Sequence, residues 1–334
     1  MRNHNIDFLR FVGLSMIILA HVHPPEVLFQ LRNFDVPLMV LISGMSFGLA
    51  YKGESYSEYV WKRIKRLALP VWIFLSMYFV IFYPQNHINY HMIISSYLLI
   101  GGIGYVWIIR VFLMVALLAP FIYIFHNKTK HDSQYLITLL ILFVLYEICR
   151  YKSMPFIQEG IEKYLSLVIL YAIPYSILFA LGLRIPTMSN KNIKIIFWFF
   201  LITFLAIALI ITSITGNFSP TQQYKYPPSI YYFSYAACIT ILLWIFSENI
   251  WDVVCKIDLV KYVVLFMAQN SIWIYLWHIS ILKIVHTNFI FKYIIVVFSA
   301  ICITGFQVWV VNNILTPLTS SVTAKKNIKM ILTG

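Results

Sequence analysis

The sequence predicts an all-α fold, a polytopic integral membrane bundle of about ten transmembrane helices. Three observations carry that prediction. Apolar residues make up 61% of the 334 and charged residues only 11%, whereas an ordinary soluble domain is about a quarter charged. Apolar stretches of about 17–25 residues, the length that crosses a hydrocarbon core roughly 30 Å thick, recur along the whole chain. The basic residues behind the formal charge of +13 sit mainly in short connections between those stretches. There they orient helices, so nucleic acid is not an expected partner.

In chain order the spans fall at about residues 7–23, 34–51, 67–83, 105–125, 135–149, 165–183, 194–214, 230–247, 262–284 and 290–314. No small-residue cleavage site follows the first, and His21-Val22-His23-Pro24-Pro25 would make a poor one, so it is read as a retained span rather than a leader. The run Met92 to Ile100 is too short to cross and ends in Gly101-Gly102-Ile103-Gly104, which marks an interfacial or re-entrant helix. A cytoplasmic N-terminus places Arg2, the basic run from Lys52 to Arg66, Lys128, Lys130, Arg184 and the C-terminal lysines on one side. By this assignment about 16 basic residues lie inside and about 7 outside, so both termini are expected in the cytoplasm. Cys149, Cys238, Cys255 and Cys302 are scattered through apolar segments with no metal-like or CxxC spacing, so they read as packing residues and no metal is expected. The chain reads as one membrane domain over residues 1–334. No internal repeat is visible, which argues mildly against a transporter.

Ionisable side chains within a span are costly and face a cavity or the bundle interior, which directs attention to the first helix. Eleven steps of about 100° bring Arg10 and His21 to within about 20° of one face, about 16 Å apart along the axis. Asp7 precedes Arg10 by one turn on that stripe, while His23 points to nearly the opposite side and is expected at the interface. The same spacing also fits an interfacial Asp7–Arg10 ion pair with His21 at the outer end of the helix. Near the C-terminus, Ser271, Tyr275 and His278 form a polar stripe in an apolar helix, suited to hydroxyl contacts or to a helix-capping role.

The pattern Phe8-Leu9-Arg10 … Ala20-His21 resembles the arginine-x10-histidine motif of the acyltransferase 3 family. Other segments agree in order. Phe34-Asp35-Val36-Pro37-Leu38 followed by Ile42-Ser43-Gly44 looks like the family's second helix. Trp61-Lys62-Arg63-Ile64-Lys65-Arg66-Leu67-Ala68-Leu69-Pro70 looks like its basic entry to the third. Trp107, then Tyr226-Pro227-Pro228, then Asn270-Ser271-Ile272-Trp273-Ile274-Tyr275-Leu276-Trp277-His278 complete the match. The departures are Leu38-Met39-Val40-Leu41, where members often carry paired phenylalanines, and the lack of room for the extracytoplasmic hydrolase-like domain of some members.

The resemblance implies a membrane-bound O-acyltransferase of the bacterial inner membrane. It would move an acyl group, usually acetyl from cytoplasmic acetyl-CoA, to a sugar hydroxyl of a lipid-linked or surface glycan. His21 is then the expected catalytic residue, as general base or acyl carrier. Arg10, with its fixed charge and fork of donors, is expected to hold a donor phosphate. Arg63, Arg66 and Ser43 are expected on the donor side, although Arg63 and Arg66 would also satisfy the positive-inside rule and bind anionic lipid heads. Trp107, Tyr226, Tyr275 and His278 are expected on the acceptor side, although aromatics such as Tyr226 also suit an interfacial belt without a ligand. Acyl-CoA, the glycan and membrane lipid are the expected partners. The rival reading is a lipid or glycan transporter, in which the Arg10–His21 stripe would line a permeation path and no acyl donor would bind.

Overall fold

The computed structural model describes residues 3–82, 88–157 and 160–334. Arg2, and Tyr83 at the expected end of the third span, lie outside them. Among the described residues the chain is helical without a strand. The helices are α1 (His4–His21), α2 (Glu26–Leu31), α3 (Asp35–Ala50), α4 (Tyr56–Arg63), α5 (Leu69–Phe82), α6 (Tyr90–Tyr97), α7 (Trp107–Lys128) and α8 (Asp132–Ser153). They continue as α9 (Gly160–Arg184), α10 (Asn190–Thr215), α11 (Ile230–Val254), α12 (Asp258–Gln269), α13 (Ser271–Ile284), α14 (Phe289–Val310), α15 (Thr316–Leu318) and α16 (Val322–Leu332). Eight helical runs among the described residues are long and apolar enough to cross a membrane, and the bent pair α12–α13 makes up to nine. The fold is therefore the expected polytopic membrane bundle.

Helix α1 stands apart for a physical reason. Asp7, Arg10 and two terminal histidines make it too polar to face lipid, and it instead packs against α3, α11, α12, α13 and α14. Its start is fixed by Asn3, whose side-chain oxygen accepts from the amides of Asn5 (3.0 Å) and Ile6 (3.2 Å). Central placement lets protein groups, rather than hydrocarbon, surround the polar stripe.

The span geometry has two irregularities. Residues 262–284 are not one straight helix, because α12 and α13 meet at an angle of 89°. Asn270 sits at the break, where its side-chain amide donates to the Phe266 carbonyl (2.9 Å) and ends α12. The basic entry to the third span is not regular α-helix either: Ile64–Ala68 form a π-helical stretch joining α4 to α5, which changes the angular offset between Arg63 and Arg66. The short segment before α7 is, as expected, too short to span. After α6 the chain turns through Leu99, Gly102 and Gly104, all at positive φ, and Arg110 of α7 holds the turn by donating to the Leu99 carbonyl (3.1 Å).

Close approach of α3 and α9 fixes one wall of the interior. A side chain at Gly44 would collide with the backbone at Phe179 and Leu183, and one at Gly182 with the backbone at Leu41. Small residues here let two backbones touch, the usual packing device inside membranes. Gly44→Ala is expected to destabilise by about 1–3 kcal/mol through overpacking, read as a lowered unfolding temperature in detergent.

Candidate active site

Helical periodicity on α1 places Arg10, Leu14 and Ile17 along one wall of an internal cavity of about 260 Å³. Arg63 and Arg66 line it at the Arg10 end, together with Ser43 and Ser46 of α3. The charged side chains there are the three arginines, and the lining includes no Asp or Glu. Arg10 is held between Asp7 (3.4 Å) on its own helix and the Ser46 hydroxyl, to which its guanidinium donates at 2.8 Å. Ser43 donates to the Met39 carbonyl one turn back (2.8 Å), so its oxygen is left to accept. Arg63 lies over the ring of Tyr59, 4.9 Å from its centroid, and 6.0 Å from that of Phe47. The π-helical stretch thus does not separate Arg63 from Arg66. Both reach the cavity.

At its other end the cavity reaches Ile17 and Tyr275, one turn short of a pair of histidines. His21 Nδ1 lies 2.9 Å from Nε2 of His278, and the rings are nearly parallel, with centroids 5.1 Å apart. Nδ1 of His278 is hydrogen-bonded to the backbone carbonyl of Tyr275. A carbonyl only accepts, so His278 carries its proton on Nδ1, and in a neutral ring Nε2 must then accept. That makes His21 Nδ1 the donor and leaves the lone pair of His21 on Nε2. The relay orients His21 as a proton acceptor, the arrangement general-base catalysis requires.

His278, expected as a substrate contact, is fully buried, and both of its nitrogens are engaged. It acts on His21 rather than reaching into open space. Tyr275 lines the cavity, and its hydroxyl donates to the Tyr105 carbonyl (2.6 Å). That bond brings in a residue the sequence did not single out: Tyr105 packs edge-on against His21, with centroids 4.8 Å apart. The glycine-rich turn before α7 was the available signal, because it delivers the chain to this point. His23 is exposed, away from the stripe. Trp107 and Tyr226 do not line the cavity. They pack edge-to-face against each other, 5.3 Å between centroids, and Trp107 follows Tyr105 by two residues, so the pair lies toward the His21 end.

Beside them is a buried polar lock that sequence spacing does not reveal. Arg32, Asp35 and Lys225 are each 2–3% exposed. Asp35 accepts from Arg32 (2.8 Å) and from Lys225 (3.3 Å), so one carboxylate balances two cations. Lys225 also donates to Asn33 (3.3 Å), and Asn33 to Thr221 (2.9 Å). Its ammonium lies over the rings of Trp107, Tyr226 and Tyr232 at 5.9, 5.8 and 5.6 Å. Burial lowers the Lys225 pKa from its ordinary value, and Asp35 opposes that shift. The lock ties the segment before α3 to the Tyr226-Pro227-Pro228 loop.

Comparison with curated proteins and with solved structures returns no match. A family model described as an acyltransferase domain matches residues 3–312, which takes in the three cavity arginines, the histidine relay and the polar lock. The chain belongs to the acyltransferase 3 family and is a multi-pass membrane acyltransferase.

Proposed function

We infer that this acyltransferase takes an acyl group, acetyl in the first instance, from acyl-CoA and transfers it to a sugar hydroxyl of a lipid-linked or cell-surface glycan. The observation that carries the reading is the cavity itself, which runs from three arginines to the edge of the His21–His278 relay. Arg10, Arg63 and Arg66 suit the phosphates of CoA, and the distance of about 16 Å along α1 suits an extended pantetheine arm. His21 Nε2 takes the proton as the sugar oxygen attacks the thioester carbonyl. The tetrahedral intermediate then collapses, the carbon–sulfur bond breaks, and the thiolate leaves with the proton returned from His21, giving CoA thiol and the O-acyl ester. Trp107 and Tyr226 offer aromatic faces to the sugar at the His21 end. The distribution of basic residues supports a bacterial-type plasma membrane protein with both termini and the arginine end cytoplasmic.

The test is transfer of labelled acetyl from acetyl-CoA to cell-envelope glycan in membranes with and without the protein. Label on the glycan only when the protein is present is the expected result, and glycan movement with no donor dependence would overturn it in favour of transport. Arg63→Ala and Arg66→Ala are each expected to raise KM for acetyl-CoA by about tenfold or more, the worth of one hydrogen bond to a charged group.

A further inference from the structure

Away from the histidine relay, α7, α8, α9 and α10 bring their ends together around a second, polar cavity of about 850 Å³. It lies at the same end of the bundle as the three arginines. Leu183, next to its lining residue Arg184, is the neighbour that a side chain at Gly48 would meet, and Gly48 is two residues beyond Ser46, the partner of Arg10. Its charges are two cations, Lys130 and Arg184, against one carboxylate, Asp132. Asp132 is already committed, accepting from Arg184 and from Asn192 at 2.8 Å each. Each terminal nitrogen of Arg184 also donates to a carbonyl, one to that of Thr129 (3.0 Å) and the other to that of Lys130 (2.8 Å). Lys130 is thus the lysine of the cavity not committed to Asp132, and the imidazoles of His126 and His131 stand beside it. Nδ1 of His126 is buried and has no hydrogen-bond partner among the described residues.

This cavity does not end at the helix tips. Leu136 and Ile195 line both it and an apolar groove of about 240 Å³ between α8, α9, α10 and α11. Along α10 the groove covers Ile195 to Thr203, about 12 Å. Thr203 is the polar side chain in that lining, and its hydroxyl donates to the Phe199 carbonyl (2.8 Å). A cationic cavity at the helix ends thus opens into a hydrocarbon-lined slot running into the membrane, and neither shares a residue with the arginine cavity.

We propose that this composite cavity binds an anionic glycerophospholipid, with its phosphate head against Lys130, His126 and His131 and one acyl chain in the groove between α8 and α10. Charge at the head and apolar surface at the tail are both needed to hold such a molecule. Neither a soluble phosphate nor a zwitterionic lipid satisfies both.

The experiment uses purified, delipidated protein in detergent, offered dioleoyl-phosphatidylglycerol, dioleoyl-phosphatidylcholine, glycerophosphoglycerol or inorganic phosphate. Retained molecules are counted by native mass spectrometry. The phosphatidylglycerol is expected to be retained over the phosphatidylcholine. Lys130→Ala, at an exposed position, is expected to lower its retention about fivefold. Thr203→Trp, which fills the groove without touching a charge, is expected to lower retention of lipid while the protein keeps its elution volume. Equal retention of the two lipids, or unchanged retention in Lys130→Ala, would overturn the proposal. Displacement of the lipid by glycerophosphoglycerol or phosphate at equal concentration would also overturn it and reassign the head cavity to a soluble anion.

Discussion

Replacing His21 by alanine is expected to lower kcat for acyl transfer by about 10²–10⁴-fold, the range lost when a positioned general base is removed. The reason is specific to the relay, since Tyr275 and His278 fix the tautomer in which His21 Nε2 is the free acceptor. His278 is a positioning residue, and its variants should separate that role from a structural one. His278→Ala removes the acceptor for the His21 Nδ1 proton and should lower kcat with KM for the donor unchanged. His278→Gln, whose amide oxygen can accept the same hydrogen bond, should recover part of the loss. Steady-state kinetics on membranes with matched protein levels decide the matter, and equal activity in the Ala and Gln variants would remove His278 from the relay.

Asp35→Asn is expected to destabilise the fold by about 3–5 kcal/mol, because it keeps the shape of the side chain while leaving Arg32 and Lys225 buried with no countercharge. Thermal unfolding in detergent, followed by tryptophan fluorescence, reads the loss. Adding Lys225→Met should restore part of it, since removing both members of a buried pair costs less than removing one. A loss under about 1 kcal/mol in Asp35→Asn would mean that the cations are balanced elsewhere. Loosening of the lock should also disturb Trp107 and Tyr226, because Lys225 packs on both rings.

Much of the arginine cavity was legible before the fold was known. Arg10 and His21 share a face of α1 by helical periodicity alone, and the basic run after Lys52 supplies Arg63 and Arg66 to the same cavity. Ser46 was not legible, because its pairing with Arg10 depends on how α1 crosses α3. The break at Asn270 was missed because an apolar window measures composition and not direction. A side chain that bonds its own backbone turns α13 away from α12 without changing the hydropathy of the segment. That turn carries Tyr275 and His278 to His21.

The sequence by itself determined the solvent, the helical class, the approximate spans and the polar stripe on α1, all of which follow from local composition and the 3.6-residue repeat. Tertiary structure alone decided that His21 meets His278 across 257 positions and that Asp35 balances Lys225 across 190. Hydrogen bonds of that range are set by which helix faces pack together, and no local period in a single chain encodes the choice.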